Sequence, residues 1–312
     1  MIAVVADVLG RVWPFFLLVG AGLALSRLRL LDAQQARGLS LYVYWIGFPA
    51  LLLHSLSRLG RPPPELAAGL AAYALVGLVV MAAVVLLGRA LKWSKAEQAG
   101  ASMASGVGNS AFLTLPITGA VLGAETARLA AGVIAVDFVV LSAAGVGLLG
   151  WAAGRSVGRS ILQAFRNPVV AAAFAGVALA LLDLKTPQAL DRALDLAAAS
   201  GSPVGLVALG AALGLRETGG QARPRTAPIA AAAIAKLVLF PLGAWLVIGL
   251  TPAPPAFRAG ATLLAAAPTA VSVFIQTRTY DVFARGAART VALTTAAAMA
   301  TLAVAVLLLV HR

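Results

Sequence analysis

The 312-residue chain contains no cysteine, and only 11% of its residues are charged. Without cysteine it can form neither disulfides, thiol nucleophiles nor cysteine metal sites. Histidine is present only as His54 and His311. The HExxH, Walker A and GxSxG motifs are also absent, so nothing supports zinc hydrolysis, ATP-driven transport by this chain alone or serine hydrolysis. We therefore expect no enzyme activity, no cofactor and no metal site.

Apolar residues dominate instead, at 61% of the chain, with a mean hydropathy of +0.95. In soluble domains about a quarter of residues are charged. These values indicate an integral membrane protein whose main surroundings are the lipid bilayer. The net charge of +13 arises from Lys and Arg in short connections rather than from one basic face, so we expect no nucleic-acid partner.

Ten apolar windows of roughly membrane-spanning length can be drawn along the chain. They lie near 3–26, 38–57, 66–91, 98–123, 127–151, 168–183, 196–215, 227–250, 259–280 and 288–310. The sequence thus predicts an all-α membrane protein with ten transmembrane helices, five in each half. Because five is odd, the second half must enter the membrane in the opposite sense. We expect two inverted five-helix repeats, 1–155 and 156–312, within one membrane domain.

The distribution of Lys and Arg predicts the orientation. Connections that follow odd-numbered spans hold fifteen of these residues, and those that follow even-numbered spans hold six. Cytoplasmic loops are enriched in Lys and Arg. The odd-numbered connections are therefore expected in the cytoplasm, with both termini extracytoplasmic, in the cell inner (plasma) membrane.

Three prolines in the first half recur in the second at nearly one offset. The pairs Pro14 and Pro168, Pro49 and Pro203, and Pro116 and Pro268 are separated by 154, 154 and 152 residues. Proline removes a backbone donor and disfavours a continuous helix. Interrupted spans at matching positions of two halves are a pointer to the binding site of a secondary transporter.

The fourth and ninth spans combine such a proline with polar residues. The fourth holds Asn109 and Ser110 ahead of Pro116, and the ninth holds Thr269, Ser272 and Gln276 after Pro268. If both spans are interrupted and cross at the midplane, the half-helices after the two prolines direct free N–H groups at one point. These residues are our candidate site for a carboxylate. The alternative is a kinked helix that uses small residues for close packing.

Two ionisable residues lie deep in predicted spans. Asp137 and Lys236 are each about ten residues from a span end, or roughly 14 to 16 Å deep at 1.5 Å per residue. Intramembrane acids usually pair, face water or take up a proton. Asp137 is therefore a candidate for ion coupling or a structural partner, and Lys236 for scaffold support, pairing or a cavity role. A proton is the favoured coupling ion, and sodium is the alternative.

The stretch Asn109-Ser110-Ala111-Phe112-Leu113-Thr114-Leu115-Pro116 resembles the Asn-x-Gly-Phe-x-x-Leu-Pro motif of the auxin efflux carrier family. This family contains the prokaryotic relatives of plant PIN carriers, in the bile acid/arsenite/riboflavin transporter superfamily. Further similarities run from Pro49 through Asn167-Pro168, Ser202-Pro203 and Lys236 to Pro268-Tyr280. Three positions differ from the family pattern: Ala111 replaces the motif glycine, Ser272 a frequent asparagine and Asp281 a frequent glycine.

The resemblance implies ten helices in two inverted repeats, a scaffold and a transport part with crossed helices 4 and 9, and transport of small organic anions. It assigns Asn109 to the substrate carboxylate. Two other interpretations remain open: a sodium-coupled symporter of the same superfamily, and a membrane sensor that binds a ligand without transporting it. The GxxxG pairs, such as Gly210 and Gly214, predict helix contacts within the bundle, with a homodimer as the alternative.

Overall fold

The computed structural model describes residues 2–59, 64–156, 159, 166–215 and 225–310, with side chains from residue 13 onward except 15, 112 and 310. The expected boundary between the repeats lies partly outside these residues, as do the connection 216–224 and His311. Within the described residues, turns and irregular segments join the helices, and the one β-type contact is an isolated antiparallel bridge.

Twelve helices make up the described part of the chain. They are α1 (Ile2–Arg27), α2 (Ala33–Ser57), α3 (Pro64–Ala90), α4 (Lys95–Gly106), α5 (110–122), α6 (Ala124–Ala152), α7 (Pro168–Leu181), α8 (Gln188–Gly214), α9 (Thr226–Ile248), α10 (Pro255–Ala265), α11 (Val271–Thr279) and α12 (Ala284–Val310). Six of them, α2, α3, α6, α8, α9 and α12, are long and apolar enough to cross a bilayer. The expectation of an all-α membrane protein is confirmed, and the count of ten spans stays a prediction.

Most of the paired prolines do not interrupt their helices, contrary to expectation. Pro14 and Pro203 lie inside α1 and α8. Pro49 and Pro116 each follow a wide π-helical turn, formed by Val43–Gly47 and Ser110–Thr114. A proline lacks the N–H for a bond to residue i−4 and its ring crowds that carbonyl, so a local π turn lets the helix continue. Of the six prolines, Pro168 opens α7, and Pro268 alone lies between helices.

Helix packing divides the molecule into two groups. Helix α1 packs mainly on α8, and α2 packs on both α7 and α8. At the contact between α2 and α8, a Cβ on Gly47 would lie 2.7 Å from the Gly201 Cα, so only glycine allows the two backbones to approach this closely. Helices α3 to α6 and α9 to α12 form the second group. Helix α11 packs against α2 and α8 and thus lies where the two groups meet.

Candidate functional site

Two non-helical segments of the second group meet close to α2 and α8 of the first group. Helix α4 ends at Gly106 and α5 begins at Ser110, while α10 ends at Ala265 and α11 begins at Val271. The connecting strands run antiparallel. The Asn109 N–H donates to the Pro268 carbonyl at 2.8 Å, and the Ala270 N–H donates to the Val107 carbonyl at 3.1 Å. Backbone groups that the helices cannot pair are thereby satisfied by each other, as a membrane interior requires.

The first of these interruptions lies ahead of its proline. Pro116 occupies the second position of the α-helical part of α5, six residues beyond Ser110, and its side chain is exposed. Pro268 lies within the second interruption and supplies the carbonyl that accepts from Asn109. The two prolines thus have different places in the structure, although they occupy matching places in the sequence.

A small cavity, which we call the crossover cavity, lies at this contact. Its volume is about 10 Å³, room for one water molecule at most. It is lined by Phe48, Gly108, Asn109, Ala111, Phe138, Ser202, Ala270, Val271 and Ser272. Helices α5 and α11 both begin at its wall, and the first N–H groups of a helix have no partner within that helix.

Three polar side chains of the crossover cavity have no hydrogen-bond partner among the described residues. They are the amide of Asn109 and the hydroxyls of Ser202 and Ser272. The Ser272 Oγ is fully buried. Burial of a hydroxyl without a partner is unfavourable, so such a group is available to bind a ligand or a water molecule. The cavity therefore concentrates unused hydrogen-bonding capacity at one place.

The other predicted polar residues are already paired within the protein. The Thr269 hydroxyl donates to the Ala104 carbonyl at 2.8 Å, and its N–H donates to the Thr294 hydroxyl at 3.1 Å. The Gln276 amide donates to Ser142 at 3.2 Å and accepts from Asn167 at 3.3 Å. The Thr269 bonds connect the segment before α11 to α4 and α12, and the Gln276 bonds connect α11 to α6 and to the start of α7. Thr269 and Gln276 thus hold the surrounding helices together in this structure.

A second group of polar residues, which we call the charged cluster, lies beside the cavity. It consists of Tyr73, Ser110, Asp137 and Lys236, and the side chains of Asp137 and Lys236 are completely buried. Tyr73 donates to one Asp137 carboxylate oxygen at 3.0 Å, and Ser110 donates to the other. Both oxygens of the buried carboxylate therefore accept a hydrogen bond.

Lys236 is held at the end of a helix. Its Nζ donates to the carbonyl of Ala265, the last residue of α10, at 2.6 Å, and lies 4.7 Å from the ring centre of Phe240. A cation is favourable at the negative end of a helix dipole. A Cβ on Gly108 would lie 2.9 Å from this Nζ and 3.1 Å from the Ser110 Oγ, so the lysine reaches the crossing backbone.

Sequence reasoning missed several of these residues. The sequence shows Ser202 only as part of the family resemblance, yet Ser202 brings a third hydrogen-bonding group to the cavity, from α8. Tyr73 was not singled out, although a tyrosine amid aliphatic residues of α3 is a signal for a buried partner. Phe48 and Phe138, on two walls of the crossover cavity, carried no signal that separates them from core aromatics.

A helical membrane protein in which two interrupted helices meet around uncharged polar groups has the architecture of a transport protein. The family model described as "Membrane transport protein" matches residues 7–306. The chain therefore belongs to this family, the auxin efflux carrier family, as its motif suggested. It is also 31% identical over 308 residues to a "Putative malonate transporter" of Rhizobium meliloti (strain 1021), over 95% of this chain and 94% of the relative.

Proposed function

We propose that the protein is a secondary transporter of small organic anions with one or two carboxylate groups, and that the crossover cavity is its substrate site. The observation that carries this proposal is the convergence of Asn109, Ser202 and Ser272, without protein partners, on the starts of two helices. Neutral donors and helix N-termini suffice to hold a carboxylate without a buried arginine. The similarity to a putative malonate transporter supports a dicarboxylate such as malonate.

The proposed architecture is ten spans in two inverted five-helix repeats, 1–155 and 156–312, with α4–α5 and α10–α11 as crossed spans four and nine. The pairing of α1 with α8 and of α7 with α2 supports it, because each pair joins the first helix of one half to the second helix of the other. A cavity of about 10 Å³ is too small for an organic anion. Substrate entry therefore requires movement of α3–α6 and α9–α12 against α1, α2, α7 and α8.

We further propose that Asp137 couples transport to protons. Its bond from Ser110 connects it to the residue next to Asn109. An ionised carboxylate only accepts hydrogen bonds, whereas a protonated one also donates, so proton uptake would change how Ser110 is held. Sodium is the less suitable ion here, because the hydroxyl protons of Tyr73 and Ser110 point at the carboxylate rather than leaving its oxygens for a cation.

The test is uptake of radiolabelled malonate by the purified protein in proteoliposomes, followed by a panel of other mono- and dicarboxylates. We expect accumulation that follows an imposed pH gradient and ignores a sodium gradient. Accumulation driven by sodium would establish the symporter alternative. Binding without uptake of any member of the panel would indicate a sensor, and a chemically altered substrate would indicate an enzyme.

Asp137→Asn separates coupling from transport. The amide resembles a permanently protonated acid in shape and charge, so this variant should lose accumulation under a pH gradient but keep exchange of labelled for unlabelled malonate. If Asp137→Asn still accumulates malonate against its gradient, the carboxylate has a structural role only.

The proposed orientation is tested by reporter fusion. With ten spans and both termini outside, a cytoplasmic reporter attached after Arg312 should be inactive and an extracytoplasmic reporter active. The opposite pattern would contradict both the count of ten and the inverted repeat.

A further inference from the structure

Arg155, which follows α6, and Arg278, near the end of α11, lie at a seam between the two helix groups. The Arg155 guanidinium lies 5.3 Å from the ring centre of Tyr280, and that of Arg278 lies 5.8 Å from the ring centre of Phe274. The Nη1 of Arg155 is buried and has no hydrogen-bond partner. Buried guanidinium groups are normally paired with a carboxylate or another acceptor.

No carboxylate compensates these charges in the described part of the chain. Arg278 donates to the Ala33 carbonyl of α2 at 3.3 Å, and it lies close enough to Arg37 for the two like charges to repel each other. The acidic residue next to Tyr280 in the sequence is Asp281, which is exposed and forms no ion pair in the described structure. The end of the seam therefore carries uncompensated positive charge.

The seam connects this positive region to the crossover cavity. On α11, Ser272, Gln276 and Tyr280 are spaced four residues apart and share one face. Ser272 lines the cavity, so Tyr280 lies about two turns, or roughly 12 Å, along the same face. On α2, Tyr44 precedes the cavity residue Phe48 by one turn, and it interacts with both Tyr280 and the charge of Arg155.

We propose that Arg155, with the hydroxyls of Tyr280 and Tyr44, forms a second carboxylate-binding site at the predicted cytoplasmic end of the seam between α2 and α11. This inner site rests on the proposed transport function. A guanidinium binds a carboxylate through two parallel hydrogen bonds, and the aromatic ring beneath it fixes its plane. The substrate anion is held here before it enters, or after it leaves, the crossover cavity as α2 and α11 separate.

The test compares Arg155→Gln with Arg89→Gln, which removes the same charge from an exposed arginine on the same predicted side. Malonate uptake is measured in inside-out vesicles, which present that side, and in right-side-out vesicles. Loss of a charge-assisted contact should raise the malonate KM of Arg155→Gln by about tenfold or more in inside-out vesicles, with little change in kcat. Arg89→Gln should behave as wild type.

Further variants separate binding from folding. Arg155→Lys keeps the charge and should restore part of the affinity, whereas Tyr280→Phe keeps the ring and should raise KM less than Arg155→Gln. An unchanged KM in Arg155→Gln, an equal rise in both vesicle orientations, or a lowered melting temperature with no rescue by lysine would each overturn the inner site. Absence of uptake of every carboxylate by the wild-type protein would instead overturn the proposed function, and the inner site with it.

Discussion

The crossover cavity and the charged cluster lie side by side around Gly108, yet their polar groups are in opposite states. In the charged cluster, both oxygens of Asp137 and the ammonium of Lys236 have protein partners. In the cavity, the side chains of Asn109, Ser202 and Ser272 have none among the described residues. We infer from this comparison that the charged cluster stabilises the crossing and that the crossover cavity is available to a ligand.

Helix direction explains how two such regions fit so close together. Helices α5 and α11 begin at the cavity, so it faces the positive ends of two helix dipoles. Helix α10 ends at Ala265, whose carbonyl binds Lys236. An interrupted pair of helices thus places anion-favouring and cation-favouring backbone within a few residues of each other. Lys236 occupies the cation-favouring position, and we propose that the substrate anion binds at the anion-favouring one.

The largest expected effect comes from breaking the charged cluster. Lys236→Met leaves the Asp137 charge buried without the nearby cation and should lower the free energy of unfolding by about 3 to 5 kcal/mol. Lys236→Met with Asp137→Asn removes both charges and should recover most of that loss. Chemical denaturation in detergent measures the free energy of unfolding of both variants. Wild type and Asp137→Asn complete the double-mutant cycle. If the losses in the free energy of unfolding simply add in the double variant, the charges of Asp137 and Lys236 do not stabilise each other.

Part of this cluster could be predicted from the sequence. Asp137 and Lys236 were found because a charge in the middle of an apolar span is conspicuous whatever the fold. Their partners could not be found in the same way, because Tyr73 and Ser110 lie 64 and 27 residues from Asp137 and meet it only in the folded protein. A single sequence shows how deep a charged residue lies in a predicted span, but it does not show which helices pack against each other.

The prolines lie near both helix interruptions, but Pro116 does not mark the residues at which the first interruption occurs. The chain is irregular near both Pro116 and Pro268, but the first interruption lies at 107–109, which follows Gly106 and includes Gly108. Glycine supports an irregular backbone, whereas a proline can be accommodated by a π turn, as at Pro116. Small and polar residues before the proline were therefore the more informative signal.

The second prediction tests the crossover cavity, whose polar side chains have no protein partner among the described residues. Asn109→Ala removes one or two hydrogen bonds to a charged substrate, each worth roughly 1.5 to 3 kcal/mol, so malonate affinity should fall at least about tenfold. Isothermal titration with purified protein measures it. The control is Ser105→Ala, which removes a buried hydroxyl of α4 that is already bonded to the Ser102 carbonyl, and its affinity should be unchanged. Wild-type affinity in a folded Asn109→Ala protein would refute the assignment.

The smallest predicted effects come from removing one of two hydroxyls near the start of α11, those of Ser272 and Thr269. Ser272 is buried and unpartnered, whereas Thr269 donates to the Ala104 carbonyl. Ser272→Ala should therefore weaken malonate binding by about 1 kcal/mol, or roughly fivefold, and leave the substrate-free protein equally stable or more stable, because an unsatisfied hydroxyl disappears.

Thr269→Val should have the reverse pattern. It keeps the side-chain shape but leaves the Ala104 carbonyl without its donor, so the free energy of unfolding should fall by about 1 kcal/mol while malonate affinity stays at the wild-type value. Melting curves with and without malonate measure both quantities on the same samples, since a ligand stabilises the folded protein by an amount that grows with the logarithm of its concentration divided by Kd. If Ser272→Ala lowers stability and Thr269→Val lowers affinity, the free and paired hydroxyls have been assigned the wrong way round.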